Sequence, residues 1–413
     1  MIDLPIYLFN INANFKNLDY NYFEAFGGNK KMSYRFCLNP VSYHGYNAIE
    51  NIATEAKSHH FKKALVVTDE SLVKFHVVDH VLKVLDNAKL AYEVFDQVKP
   101  NPTIKNVQDG VEAFKKAGAD YIIAVGGGSS MDTAKGIGII IANPEYADVR
   151  SLEGAISSPN PAVPTIAVPT TAGTAAEVTI NYVITDEEKH RKFVCVDPHD
   201  LPIIAVVDPL MMETMPAKLT AATGMDALTH AIEGYITKGA WELSDMFHIE
   251  AIRIISHNIE SAVRNEKKGR EEMALGQYVA GMGFSNVGLG MVHSMAHPLS
   301  AFYDTPHGVA CSILLPTGMR FNAPYSGEKY REIARAMGVK GVDSMSQEEY
   351  REAAIDAVQK LSIAVGIPAN LKGIVKEEDL SFLADSAMAD ACMPGNPAPI
   401  TKEDVIALYK SLM

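Results

Sequence analysis

Two stretches of the chain put ligand-type side chains at helical spacing inside apolar sequence. In GMDALTHAIEGY, residues 224–235, Asp226 and His230 stand four positions apart and share one helical face. A buried face carries two such polar groups only where something pairs with them. In GLGMVHSMAHPLSAFYDTPHGVAC, residues 288–311, His293 and His297 share a face in the same way. His307 follows Pro306 and precedes Gly308, where another helix is expected to begin. The chain has 13 histidines, and His59, His60, His76 and His80 sit in polar or helical surface contexts. One carboxylate with several histidines in apolar helices points instead to a divalent first-row metal with an open coordination position. Asp226, His230, His293 and His307 would make an O,N,N,N set. Spacing alone leaves open which of His293 and His297 is the ligand.

A second kind of chemistry is written in VGGGSSMDTAK, residues 125–135, which follows an apolar run and opens a helical one. Gly126, Gly127 and Gly128 let the backbone approach a ligand closely, and the helix N-terminus offers unpaired N–H groups suited to a pyrophosphate. It is not the usual dinucleotide fingerprint, because Ser129 and Ser130 follow directly where a third spaced glycine would stand. Thr170, Thr171 and Gly173 in PTTAGTAAE can donate to phosphate or ribose from a neighbouring loop. Asp69 ends the run ALVVTD, where a carboxylate either accepts bonds from a ribose diol or caps the helix starting at Glu70.

These groups need elements to hold them. ALVVTD (64–69), LAYEVFD (90–96), DYIIAVG, TIAVPTT (165–171) and PIIAVVDP (202–209) read as strands, and 101–119 reads as an amphipathic helix ended by Gly118. The helix after the glycine turn is expected over 131–143. Strands alternating with helices imply a parallel sheet covered on both faces. From Met211 onward the text is almost wholly helical. The fold expected is an α/β Rossmann-like domain over 32–212 and an all-helical domain over 213–413, with the chain passing between them near Asp208–Pro216.

Composition narrows the class of protein. With 413 residues, 47% hydrophobic and 21% charged, the chain is long enough for two cores. A formal net charge of −13 argues against nucleic-acid binding. No apolar run reaches membrane-spanning length. Cys37, Cys195, Cys311 and Cys392 are scattered singly, as expected in a reducing, cytoplasmic setting. Residues 1–31 are rich in Asn and aromatics without periodicity, and MSYRFCLNP from Met32 reads like a protein beginning. The first 31 residues are therefore expected to be an extension outside the fold.

Taken together, AVVDPLMMETMPAKLTAATGMDALTHAIE (205–233), GLGMVHSMAHPLSAFYDTPHGVA (288–310), GGGSSMDTAK and PTTAGTAAEVT resemble the iron-dependent (group III) alcohol dehydrogenases from about Met32 to the C-terminus. Residues 177–200 and 271–299 most resemble those members that interconvert lactaldehyde and propane-1,2-diol. Ser130, Met131, Ser294, Ser300 and Ala398 depart from the family pattern. The resemblance implies a dehydroquinate-synthase-like architecture, with NAD and Fe(2+), or Zn(2+), in a cleft between the two parts. It implies Asp226, His230, His293 and His307 as metal ligands and His297 as a proton-handling or nicotinamide-side residue. Cofactor contacts implied are Asp69, Asn101, Gly126, Gly127, Gly128, Ser129, Asp132, Thr170, Thr171, Thr174, Asn181, Val183, Lys192 and Leu210. Asn181, Phe284, Leu289 and Cys392 would border a small substrate pocket. A divalent ion there would polarise an aldehyde carbonyl while NAD carries the hydride. A homodimer is the expected assembly. A dehydroquinate-synthase-like lyase would need basic residues for a phosphorylated substrate, and 281–311 contains no Lys or Arg. A non-catalytic metal-binding protein is disfavoured by retention of every presumed ligand.

Overall fold

The apolar runs of the first half become strands that are covered on both sides. The computed structural model describes residues 33–189 and 191–413, so the segment 1–31 lies outside the described residues. The first half runs β1 (Val41–His44), α1 (Asn51–Ser58), β2 (Lys63–Val67), α2 (Glu70–Lys74), α3 (Asp79–Ala88), β3 (Ala91–Phe95) and α4 (Ile104–Ala117). It continues through β4 (Tyr121–Gly126), α5 (Gly128–Ala142), β5 (Gly154–Ala155), β6 (Thr165–Pro169), β7 (Asn181–Asp186), β8 (Arg191–Val196) and β9 (Ile204–Val207). Six strands form one sheet in the order β1-β9-β6-β4-β2-β3, every neighbouring pair parallel. Alternate side chains feed two cores: Leu65, Val67, Ile122 and Ala124 face one, and Ala64, Val66, Ile123 and Val125 the other.

The strand order reverses beside β2. The chain leaves β2 for the edge strand β3, then returns across β2 to β4. Loops at the carboxyl ends of β2 and β4 thus diverge and leave a crevice, the usual ligand position in such sheets. The amphipathic helix expected over 101–119 is α4, opened by a capping box of Thr103 and Asn106 and closed by Gly118 at φ 62°. The helix expected from Met131 begins three residues earlier, because Gly127 is extended and lets α5 start at Gly128.

One element was not anticipated. NYVITD and RKFVCV form β7 and β8, an antiparallel pair with Asn181 opposite Val196, and β5 adds a third strand. Their alternating burial marks a small sheet with one buried face.

The second half is helical: α6 (Ala217–Ile236), α7 (Glu242–Val263), α8 (Lys267–Val287), α9 (Met291–Tyr303), α10 (His307–Asn322), α11 (Lys329–Ala336), α12 (Gln347–Ala364), α13 (Leu380–Met388) and α14 (Lys402–Ser411). Helix α6 is buried nearly all round and packs against α7, α8 and α10, so it is the axis of this half. The two halves meet inside one compact unit, Phe36–Met413. Ala172, Ala175 and Val178 from the loop after β6 join the helical core, and the Ile180 N–H donates to Ser285 Oγ at 2.9 Å. No helix among the described residues is long and apolar enough to cross a membrane.

The first turn of α10 rests directly on α6. A Cβ at Gly308 would collide with the Ala222 carbonyl oxygen, a backbone atom that cannot swing away. Gly308→Ala should therefore cost about 1–3 kcal/mol by overpacking. Chemical denaturation checks this, and an unchanged midpoint would show that the two helices can separate freely.

Candidate active site

Helix α6 aligns Asp226, His230 and Glu233 on one face, at intervals of four and three residues. All three are buried. His293 comes from the first turn of α9 and His307 from the first residue of α10, so three helices converge. Nε2 of His293 lies 3.8 Å and Nε2 of His307 lies 3.7 Å from Asp226 Oδ1. Donor atoms of Asp226, His293, His307 and Cys311 all lie within 4.8 Å of one another. His230 stands beside this group, with Nδ1 3.9 Å from Asp226 Oδ2 and its ring 4.4 Å from that of His293.

These atoms lack what buried polar atoms normally have. Asp226 Oδ1, His230 Nδ1, His293 Nε2 and His307 Nδ1 have no hydrogen-bond partner among the described residues. Burial raises the Asp226 carboxyl, opposed by His230, Cys311 and His297. Burial pushes His230 and His293 down to about 3, and His307 well below the usual imidazole range. The imidazoles are thus neutral and keep a lone pair. A buried carboxylate among neutral imidazoles with unsatisfied atoms is a donor set that fits a divalent cation.

A layer of support surrounds the cluster. His293 Nδ1 is 2.6 Å from Glu233 Oε2, and Glu233 also accepts the N–H groups of Val292 at 2.8 Å and His293 at 3.1 Å. Burial raises Glu233 to about 7 against those backbone bonds. On the far side, His297 Nδ1 is 2.7 Å from Asp390 Oδ2, and the His297 ring stacks 5.2 Å from that of His307. Burial would raise Asp390, but His297, the Cys392 N–H and Ser294 together hold it at about 2. Phe284, from the end of α8, stacks on His230 at 4.2 Å. The Cys392 N–H donates to Asp390 Oδ1 at 2.9 Å, which sets Cys392 beside His297. Leu289 is buried at the entrance to α9, where its carbonyl accepts from Thr237 Oγ1 at 3.1 Å.

The other expected residues gather along the carboxyl edge of the parallel sheet. Asp69 follows β2, Gly126 ends β4 with Gly127, Gly128 and Ser129 behind it, Thr170, Thr171 and Thr174 follow β6, and Leu210 follows β9. The Thr170 N–H donates to the Gly126 carbonyl at 2.9 Å. Thr171 and Thr174 lean over the turn, at 3.3 and 3.1 Å from where Cβ atoms on Gly127 and Gly128 would stand. Asp69 Oδ1 accepts the Leu72 N–H at 3.0 Å, so this residue does cap α2. Asp132 Oδ2 accepts the Val183 N–H at 3.1 Å, while burial raises this carboxyl to about 7. Lys135, fully buried, donates to the carbonyls of Thr179 and Asn181, the latter at 2.9 Å. Lys192 Nζ donates to Asn101 Oδ1 at 2.7 Å and feels both Asp132 and Cys311, so it stands between the sheet edge and the histidines.

Sequence reading passed over Glu233, Cys311, Asp390 and Lys135. For Glu233 and Cys311 the signal was helical spacing: Glu233 stands three residues after His230, and Cys311 four after His307. Asp390 reaches His297 from 93 residues away, and nothing local marks it.

Comparison with known proteins decides what this arrangement belongs to. Residues 40–209 match the iron-containing alcohol dehydrogenase model, and residues 220–413 match the C-terminal model of the same family. The chain belongs to the iron-containing alcohol dehydrogenase family. It is 58% identical over 379 residues to lactaldehyde reductase of Escherichia coli (strain K12), covering 92% of this chain and 99% of the relative. The crystal structure of a 1,3-propanediol oxidoreductase is 40% identical with a TM-score of 0.89, covering 92% of this chain and 100% of that one. Sulfoacetaldehyde reductase from Bifidobacterium kashiwanohense, solved in complex with NAD+, is 28% identical with a TM-score of 0.83, covering 92% of this chain and 99% of that one. The enzyme is an oxidoreductase with the family's α/β and helical parts, as the resemblance implied.

The Glu233 contact yields a test within this family. Glu233→Gln keeps the shape but removes the carboxylate that fixes the His293 Nδ1–H. Loss of such support should weaken metal retention about 10- to 100-fold. Metal content after graded chelator dialysis measures this, and full retention would show that Glu233 only caps α9.

Proposed function

We propose that this enzyme reversibly reduces lactaldehyde to propane-1,2-diol with NADH, using a divalent metal held by Asp226, His230, His293 and His307. The observation that carries the reading is the cluster of buried, unpartnered donor atoms walled by Phe284 and Cys392. Identity of 58% over nearly the whole length supports lactaldehyde as the substrate, and the 40% likeness to a 1,3-propanediol oxidoreductase supports that diol less well. Absence of Lys and Arg from 281–311 speaks against a phosphorylated substrate of the lyase kind. Both Fe(2+) and Zn(2+) suit oxygen and imidazole donors.

When bound, the metal supplies a Lewis acid and the nicotinamide supplies or takes the hydride. The chain's own residues do the rest. Glu233 holds His293 in the tautomer whose Nε2 keeps a lone pair. Asp390 grips His297 through Nδ1, which leaves Nε2 of that ring to exchange the alcohol proton with solvent. Asn181 and Val183 offer the nicotinamide one edge of β7, held in register by Lys135 and Asp132. Gly127 and Gly128 open the first turn of α5 beside Thr171 and Thr174, where a pyrophosphate would meet helix N–H groups. Phe284 and Cys392 would wall a pocket for a short carbon chain.

Three measurements test this reading. The metal-depleted enzyme should lose lactaldehyde reduction and regain it on adding Fe(II) or Zn(II). With the metal restored, Phe284→Ala should raise kcat/KM for hexanal relative to lactaldehyde by about tenfold or more. A native enzyme that already uses both equally well would show the wall to be misread. The third concerns Asp69. A carboxylate at the end of β2 repels the 2′-phosphate of NADP by a few kcal/mol, about a hundredfold preference for NAD(H). Asp69→Gly should admit NADPH, and a glycine cap weakens α2 by only a few tenths of a kcal/mol. Unchanged NADH to NADPH ratios of kcat/KM would leave Asp69 as a helix cap alone.

A further inference from the structure

Ser294 is fully buried in the first turn of α9, next to His293, and nothing in the functional reading uses it. It is also a position where this chain departs from the family pattern. Its hydroxyl carries one proton and has two acceptors in reach. One is the Gly290 carbonyl at 3.1 Å, at the N-cap of the same helix, which already accepts the Ser294 N–H at 3.2 Å. The other is Asp390 Oδ1 at 3.2 Å, 96 residues away in the chain. A carboxylate accepts more strongly than a carbonyl, so the hydroxyl proton is directed to Asp390.

That bond falls on the carboxylate that grips His297. Ser294 and His297 stand three positions apart on one face of α9, and both reach the same side chain. His297 Nδ1 lies 2.7 Å from Oδ2, while Oδ1 takes Ser294 Oγ at 3.2 Å and the Cys392 N–H at 2.9 Å. Donors on both oxygens fix the plane of a carboxylate, and with it the direction from which Oδ2 meets the imidazole. The Cys392 N–H belongs to the same loop as Asp390, so it cannot tie that loop to α9. Ser294 can, because it stands on the helix that carries His297. Resting on the functional reading above, we infer that Ser294 is a positioning residue for the reaction, fixing through Asp390 the aim of the His297 ring. Ser294 gives up no proton in this role; it supplies direction only.

The test uses the full-length enzyme, loaded with whichever of Fe(II) and Zn(II) gives the higher rate of lactaldehyde reduction by NADH. Ser294→Ala removes the hydroxyl and adds no bulk. It should lower kcat about threefold to tenfold, because Asp390 keeps two other donors, while both KM values and the metal content stay as they were. In an Asp390→Ala background, with far-ultraviolet circular dichroism matching the native protein, Ser294→Ala should have no further effect, since the hydroxyl acts through that carboxylate. Proton NMR of the zinc-loaded protein gives a reading that needs no turnover. The downfield Nδ1–H resonance of His297, identified by its loss in His297→Gln, should broaden by exchange with water in Ser294→Ala. An unchanged kcat, an unchanged resonance, or an equal loss of kcat with and without Asp390 overturns the inference and leaves Ser294 bonded to Gly290 alone. Metal lost along with kcat also overturns it, by routing the effect through His293. A native enzyme inactive on lactaldehyde with either ion overturns the functional reading instead, and the resonance still reports on Ser294.

Discussion

The Asp226 carboxylate is buried against imidazoles that cannot answer it. Burial raises the pKa of Asp226 and lowers those of His230 and His293, so the imidazoles are neutral and keep their lone pairs. Such an arrangement is unfavourable unless a cation completes it. Much of the helical half can be understood as the means of holding this frustrated cluster together. Helix α6 is apolar all round except on one face, α9 delivers His293 already bonded to Glu233, and α10 delivers His307 because Gly308 lets it settle on the Ala222 carbonyl.

The α/β half answers a different need, which is to present backbone rather than charge. Its six strands end on one edge, and loops after β2, β4, β6 and β9 reach the same crevice. Thr171 and Thr174 lean over Gly127 and Gly128 at the first turn of α5, and β7, paired with β8, is bonded to Asp132 of the same helix. The two halves divide the labour of a dehydrogenase accordingly: shape and N–H groups toward one end of the crevice, metal-type donors and a gripped histidine toward the other.

How much of this could be read beforehand follows from where the information sits. Buried parallel strands such as ALVV and YIIAV have no polar face, so their continuous apolar text was plain, as was the capped and glycine-ended helix α4. Asp226, His230, His293 and His307 were visible because polar groups in apolar helices are conspicuous. The β7–β8 pair is harder to see, because NYVITD and RKFVCV alternate over only six residues each and mix polar with apolar side chains. Asp390 was beyond reach, since its meaning is a contact made across 93 residues. Glu233 and Cys311 were legible in helical spacing but lay outside the set the resemblance supplied.

Lys135 and Asp132 leave one helix and both seize β7, the lysine through the carbonyls of Thr179 and Asn181, the aspartate through the Val183 amide. Mechanically, α5 and β7 are one stiff lever with Gly127 and Gly128 at one arm and Asn181 at the other. A dinucleotide touching both arms would meet a single body, so its phosphates and its nicotinamide could not be seated independently. Any displacement of the glycine turn would be carried through these bonds to β7. Binding at the inert end of the cofactor would thereby set the aim at the reactive end.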